Sequence, residues 1–238
     1  MFSPTFFIFN NKHSREYGIL VEKMPIITRA TKRTDTMVIP GRSGNLHIDQ
    51  LAYENISKTI ECAVFNRRWL DEICSWLQGS GDVIFSNERD KKYRAYIHNE
   101  IPFKQVFKNV SLNPMRFTVR FDCQPFKYSV NAENDFMSII QNNFEFFGKG
   151  TFSAEPIITV YGSGNITLTV NGKAIVLTSV SGHITINSEI MDAYRDNANM
   201  NMNMQGDFPL LNADNGSNTI AWTGNVSKIE IIPNWRWL

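Results

Sequence analysis

The chain has 238 residues, of which 42% are hydrophobic and 20% are charged, and its net charge is +1. This length suits one large domain or two ordinary ones, and the composition excludes both a strongly basic chain and an acidic, solvating one. The charge is unevenly divided. Residues 1–130 carry 19 basic and 13 acidic side chains (+6), whereas residues 131–238 carry 5 and 10 (−5). The asymmetry indicates either two units with different surroundings, the basic one facing an acidic partner, or scatter in surface charge.

The cysteines and the N-terminus exclude further classes of protein. Cys62, Cys74 and Cys123 are widely spaced and form no Cys-x-x-Cys pair, which predicts reduced thiols rather than a disulfide framework or a thiolate metal site. The first apolar run follows no basic segment and is interrupted by Pro4, so no signal peptide is expected. No run approaches the ~20 apolar residues of a membrane helix.

The first half begins with alternating apolar residues, which predict strands. The pattern covers TFFIFN, YGILVEKMPIITRAT, DTMVIPG and NLHIDQLAYENISKTIECAVF. We expect breaks between these strands at Asn10–Asn11 and around Lys32–Asp35. The first half is therefore predicted to open as a β-rich unit.

The apolar period then changes to that of a helix, in RRWLDEICSWLQGSGD. A hairpin that turns at Asn87–Asp90 is predicted next, followed by a strictly alternating strand, RFTVRFDCQPFKY, that ends at Pro125. Gly79 is the expected stop of the helix. Its apolar residues at helical spacing are Trp69, Leu70, Ile73, Trp76 and Leu77.

The second half is predicted to be β-rich throughout. Asn171-Gly172 lies between two alternating runs, which is a strong hairpin signal, and GHITINSEI and VSKIEIIP read as further strands. Because no helical segments separate these runs, an antiparallel sandwich is favoured over a parallel doubly wound sheet. The fold class is therefore mainly β, with two domains, 1–130 and 131–238, and one α-helix in the first.

The stretch PGRSGNL has a Gly-x-x-Gly spacing that could cradle a phosphate or form a tight corner. A phosphate loop needs a helix after it, and the alternating NLHIDQLAY that follows reads as a strand. We therefore interpret Pro40, Gly41, Arg42 and Gly44 as a turn signature. Arg42 is left either solvated or reaching a carboxylate of its own chain or of a neighbouring subunit.

No pattern in the sequence predicts catalysis, a metal site or a bound cofactor. The four histidines, at positions 13, 47, 98 and 183, are isolated from one another and from the cysteines. The nucleophile-elbow, Walker and dinucleotide-binding motifs do not occur. A pair of carboxylates brought together by folding remains open, but no pair stands out. We therefore expect no catalytic, cofactor or metal residues and no enzyme activity.

Two segments of the second half admit a binding interpretation beside a structural one. Met200, Met202 and Met204 could ligate copper(I), but an extended segment with its methionines packed inward is favoured because no His or Cys lies nearby. Trp222, Trp235 and Trp237 could stack on sugars as a glycan site, although the core interpretation is favoured because large aromatic residues dominate protein cores.

Several of these motifs occur together and in order along the chain. VIPGRSGNL follows the first strands, then come WLDEICSWLQGSGDVIFS and FDCQPFKY, and GDFPLL and SNTIAWTGNVSKIEIIPNWRWL close the sequence. In this combination the chain resembles, over nearly its whole length, the distal tail proteins of siphophages and related prophages. These phages have long, non-contractile tails.

The resemblance implies a structural protein of the virion tail tip, assembled in the cytoplasm of the bacterial host. Residues 1–130 would form the ring domain that continues the tail tube, with six copies in the ring. Residues 131–238 would form a galectin-like or carbohydrate-module-like sandwich. The implied partners are further copies of the chain, the tail tube protein, and tail-tip fibre or receptor-binding proteins. DNA would pass through the channel as cargo, and no membrane is involved.

Two alternatives to the ring-forming role stay open because fold does not imply function. One is a carbohydrate-binding module that helps the phage recognise the host cell wall. The other is a wall-degrading enzyme, which would need two opposed carboxylates or a histidine paired with a nucleophile.

Overall fold

The computed structural model describes residues 5–105, 114–131 and 135–238. Within it the chain forms two compact units, one of Met1–Val130 with Leu238 and one of Asn131–Trp237. Strands dominate both units, and the first carries an α-helix, which confirms the predicted mainly β fold class. Across the described ranges, the search for a helix long and apolar enough to span a bilayer finds none.

The first unit is built on an antiparallel sheet with the strand order β2-β1-β7-β8-β10-β6-β3, and β9 also pairs with β10. The short helix α1 follows β6, and 3-10 turns lie at Ser14–Tyr17 and Arg67–Trp69. The elements are β1 (Phe7–Phe9), β2 (Lys12–His13), β3 (Ile19–Lys23), β4 (Lys32–Val38), β5 (Asn45–Tyr53), β6 (Ile56–Val64), α1 (Leu70–Trp76), β7 (Gly79–Phe85), β8 (Lys91–Ile97), β9 (Lys104–Gln105) and β10 (Met115–Ser129).

The core of this unit follows from the alternation in its strands and the spacing in its helix. On β10, Phe117 and Phe121 point inward and are at most 3% exposed. Helix α1 covers them with Ile73 and Trp76, as its spacing predicted, and the Trp76 indole donates to the Phe9 carbonyl at 2.9 Å. Each such buried side chain contributes roughly 1.5–3 kcal/mol through the apolar surface it removes from water.

Two predicted boundaries in this unit are wrong. Strand β10 does not end at Pro125 but continues to Ser129, because a register shift against β8 between Cys123 and Lys127 accommodates the proline. The break expected around Lys32–Asp35 lies inside β4, and the chain instead leaves the sheet between β3 and β4. Pro25, which cannot donate to a strand ladder, stands at this point, and the Lys58 ammonium donates to the Ile26 carbonyl at 2.7 Å and to Thr28 Oγ1 at 3.2 Å. These bonds replace strand pairing in the segment, a long-range effect that local alternation does not record.

The second unit is an antiparallel sheet with the strand order β11-β18-β13-β14-β15-β16. In addition, β12 pairs with β18, and β17 pairs with β14. A 3-10 turn lies at Asn201–Asn203. The strands are β11 (Met137–Ile139), β12 (Phe144–Phe147), β13 (Ile157–Val170), β14 (Lys173–Asn187), β15 (Asp192–Arg195), β16 (Ala198–Asn199), β17 (Met204–Gln205), β18 (Ser217–Ile232) and β19 (Arg236–Trp237).

Three long strands, β13, β14 and β18, build this unit. Asn171 and Gly172 turn β13 into β14 with φ of 50° and 79°, the positive values that a tight two-residue hairpin turn requires. The register shifts near Gly162, where a Cβ would lie 2.2 Å from the Asn225 carbonyl oxygen. Residues on both sides of the shift, such as Val160 and Leu168, belong to one buried cluster, so the sheet curls around a single core.

Candidate functional site

The hairpin β4–β5 of the first unit stands apart from the core of that unit. We call it the arm. Its two strands form a separate two-stranded sheet that pairs with no other strand of the described chain. Every residue of β4 is exposed. Two-stranded hairpins are marginally stable alone in water, so an arm of this kind is expected to gain a packing partner.

The two faces of the arm differ in chemistry. Met37 is paired with Leu46, and Asp35 with Ile48, and residues opposite one another in an antiparallel pair project from the same face. Met37 and Ile48 are 54% and 45% exposed, and with Leu46 they define the apolar face of the arm. The same face also carries Asp35 nearer the root. On the other face Thr36 contacts His47 at 3.2 Å, and Val38 is 73% exposed. The apolar face of the arm is therefore largely open.

The tip of the arm is the PGRSGNL stretch. The Arg42 amide donates to the Ile39 carbonyl at 3.1 Å, closing a turn with Pro40 second and Gly41 third. Gly41 has φ of 81°, as a type II turn requires at its third residue, and Gly44 has φ of 83°. No atom lies within 4 Å of a Cβ built at either glycine, so both serve backbone conformation rather than close packing. A strand, β5, follows the tip, and the helix N-terminus of a phosphate loop does not.

The root of the arm is fixed by buried polar contacts. Lys58 is 2% exposed, holds the segment before β4 through the Ile26 carbonyl, and lies 5.3 Å from the Tyr93 ring centroid. Burial lowers the pKa of Lys58. The Tyr93 hydroxyl donates to Glu88 at 2.6 Å, and Lys127 donates to the same carboxylate at 2.8 Å. The root is thus rigidly held, whereas the apolar face lies open.

Two cavities of the first unit, one between α1 and β8 and one along β7, β8 and β10, share Tyr96 as a wall residue. The first, about 480 Å³, is also lined by Cys74 and His98, and the second, about 370 Å³, by Asp82 and Asp122. Tyr96 is 50% exposed and stacks on His98 with ring centroids 5.7 Å apart. We call the two cavities together the Tyr96 groove.

The carboxylates of this groove are differently partnered. Asp82 accepts from Lys92 at 2.7 Å, whereas the Asp122 carboxylate accepts from the Asn55 amide at 3.2 Å. Among the described residues, Asp122 makes this hydrogen bond with Asn55 and has no ion pair. The Tyr96 groove therefore combines an exposed aromatic ring with Arg94 and two carboxylates, of which Asp122 has no ion pair among the described residues.

The three tryptophans for which glycan stacking is the less favoured alternative lie in or against the core of the second unit. Trp222 and Trp235 are 9% and 4% exposed, and the half-buried Trp237 packs on the same cluster. Stacking on a sugar needs an open ring face.

The three neighbouring methionines do not all pack inward, as was expected. Met200 and Met204 pack on the core, whereas Met202, in the 3-10 turn, is 95% exposed.

The remaining candidates for chemistry stay dispersed. Among the described residues, the search for three His, Cys, Asp or Glu side chains grouped as a metal site finds none. Cys74 is exposed, while burial raises the pKa values of Cys62 and Cys123 to about 12. His183 lies 3.6 Å from Asp196 at the surface.

Sequence reasoning found the turn of the arm but missed its open apolar face and the Tyr96 groove. The alternation that places Met37 and Ile48 on one face is present in the sequence, yet alternation cannot tell whether that face is covered. The groove arises from residues far apart in the chain, such as Cys74 and His98, which only the fold brings together.

Comparison with known proteins finds similarity among solved structures but none among sequences. No protein-family model matches the chain, and no curated protein sequence does. Among solved structures, the chain is similar to the Dit protein (gp 19.1) of phage SPP1, which is described as a paradigm of the hub adsorption apparatus in phages that infect Gram-positive bacteria. The alignment has a TM-score of 0.78 and 14% identity, and it covers 99% of this chain and 100% of the other. The resemblance seen in the sequence is thereby confirmed at the level of the fold: the chain has the fold of a siphophage distal tail protein.

Proposed function

We propose that the protein is a structural component of a phage tail tip that assembles into a ring, with six copies as the resemblance implies. The observation that carries the proposal is the arm, a hairpin rooted by buried polar contacts whose apolar face is left exposed by the described residues of its own unit. A closed ring uses two different surfaces of each subunit, one donating and one receiving. An arm that is exposed in a single copy and buried in an assembly fits the donating surface.

The whole-chain likeness to a hub protein supports the same proposal. In the ring, the first unit joins the tail tube protein, and the second unit, proposed to be galectin-like, meets tail-tip fibre or receptor-binding proteins. DNA passes through the channel as cargo, the virion tail tip is the final location, and assembly takes place in the host cytoplasm. This role requires no catalytic residue, so we propose that the protein is not an enzyme.

Ring formation is tested on the full chain by light scattering over a range of concentrations, combined with negative-stain microscopy. The expected result is a closed ring of uniform diameter and a mass that is a whole multiple of the subunit. The proposal is wrong if the protein stays monomeric at the highest concentration and also forms no ring with its tail tube and tip partners.

We propose that Trp222, Trp235 and Trp237 serve the core of the second unit rather than a glycan site. Their burial supports this assignment. Titration with host cell-wall saccharides should leave the tryptophan fluorescence unchanged, because buried rings offer no face to a sugar. A saturable change that disappears in Trp237→Ala would instead support the carbohydrate-binding alternative, since Trp237 is the least buried of the three.

A further inference from the structure

The tip of the arm carries a cation that has no ion pair among the described residues. Arg42 lies in the exposed loop after the turn at Gly41. In the parts of the chain that the structure describes, its amide bonds the Ile39 carbonyl and its guanidinium makes no ion pair. A guanidinium at the end of a hairpin can pair with a carboxylate in bidentate geometry.

The Tyr96 groove offers the complementary set of groups. Asp122 lacks an ion pair among the described residues, and the groove is open enough to admit a side chain from outside. Its walls also carry two apolar groups that the apolar face of the arm can meet. These are the exposed ring of Tyr96 and the half-buried Ile101, whereas Leu77 and Ile97 belong to the buried core.

We propose that the Tyr96 groove receives the arm of a second copy of this chain, with Arg42 paired to Asp122. The proposal rests on the ring-forming function above and names the surface that accepts the arm. Burial of Met37 against the groove would remove apolar surface from water, and the charge pair would fix the position of the tip. Strand β4 alone spans about 23 Å at 3.3 Å per residue, so the tip can extend well beyond the sheet that carries it.

Charge exchange tests the pairing directly. Arg42→Glu and Asp122→Arg should each raise the concentration needed for half-maximal assembly about tenfold, the effect of losing one favourable ion pair. The double variant, Arg42→Glu with Asp122→Arg, should recover most of that loss because the pair is restored with its signs reversed. Arg67→Glu is the matched control, since it reverses the charge of another exposed arginine and should leave assembly unchanged.

Cross-linking tests the position of the tip. In a Cys74→Ser background, Ser43→Cys with Gln124→Cys places one thiol on the tip and one on the groove wall. A short bismaleimide should link them between subunits into a ladder of dimers and higher species. Thr118→Cys replaces Gln124→Cys in the control, because Thr118 is also exposed on β10 but lies outside the groove. The control should not form the ladder.

The native thiol Cys74 supplies a readout that needs no substitution. It is exposed in the single chain and lines the groove, so its reaction with a thiol reagent should slow when rings form. Rings that assemble with Cys74 fully reactive, with no rescue in the double variant and no ladder, would overturn the groove assignment and leave the ring function standing. A protein that forms no ring would overturn both.

Discussion

Two hairpins of this molecule have similar turns but different structural roles. The hairpin β13–β14 turns at Asn171-Gly172, and its inward residues are fully buried. The arm turns at Pro40-Gly41, and its apolar residues lie open. Positive φ at glycine allows both reversals, so the turn does not set the role of a hairpin. Neighbouring strands cover the hairpin β13–β14 and make it part of a domain. The arm pairs with no other described strand, so it depends on a partner.

The largest expected effect is on the covered hairpin. Leu168 is fully buried in β13, so Leu168→Ala should lower the free energy of unfolding by about 2–5 kcal/mol through lost burial and a residual cavity. Met37→Ala, on the arm, should change it by less than about 0.5 kcal/mol because the side chain is exposed in the monomer. Denaturant unfolding of dilute, monomeric protein measures both. Equal losses would show that the arm is packed within its own chain.

Removal of the ammonium at the arm root should have an intermediate effect. Lys58→Met leaves the Ile26 carbonyl and the Thr28 hydroxyl without their donor, which we expect to cost about 1–3 kcal/mol. Hydrogen exchange should show faster exchange in the segment before β4 and little change in the second unit. Unaltered protection there would mean that Lys58 does not hold the root.

High pH should weaken the interior of the first unit. Burial raises the pKa values of Cys62 and Cys123 to about 12 from 9.0, so the folded thiols keep protons that the unfolded ones release. Their stabilisation is complete below pH 9 and is lost as the pH rises toward 12, at up to about 1.4 kcal/mol per pH unit for each thiol.

Unfolding of the wild type and of Cys62→Val between pH 8 and 11 measures this slope. The variant should show the shallower decline, because one of the two thiols is gone. The comparison is made between proteins rather than on the absolute slope, since the lowered pKa of Lys58 acts with the opposite sign in the alkaline range. Parallel curves for the two proteins would contradict the assignment to Cys62.

At the turn of the arm, Gly44→Val should strain the tip by about 1–2 kcal/mol, because Gly44 has φ of 83° and a β-branched residue resists that conformation. The cores of both units should stay folded while ring assembly weakens. Gly44→Asn is the matched control, since asparagine tolerates positive φ better. The same reasoning makes Gly41→Val damaging and leaves the Arg42→Ala monomer folded. A Gly44→Val protein with unchanged stability and unchanged assembly would show that the turn is not constrained.

The smallest expected effect is a difference in reaction rate among the three thiols at neutral pH. Cys74 should react quickly with a thiol reagent, and Cys62 and Cys123 slowly, because only the first is exposed and burial keeps the other two protonated. One fast equivalent per monomer is the expected result of a kinetic titration. Three fast equivalents would mean that the first unit opens readily.

Much of the fold could be predicted from the sequence, because the local periodicity of apolar residues determines where its helix and many of its strands form. The helix spacing of Ile73 and Trp76, the Asn171-Gly172 turn and the strict alternation of β10 all predicted what the structure contains. The strand break before β4 has one local signal, Pro25, which alternation alone overlooks, and one distant contribution, the contacts of Lys58, which the sequence does not record. The Tyr96 groove, whose walls join α1 to β8 and β10, and the open face of the arm could not be predicted.

In the assembled ring, the apolar face of the arm is proposed to be covered by another copy of the chain. The most direct test is sedimentation velocity of the wild type and of the double variant Met37→Ser with Ile48→Ser, at matched concentrations. We predict a ring for the wild type and a folded monomer for the variant. Rings of the same size and stability for both proteins would contradict the claim.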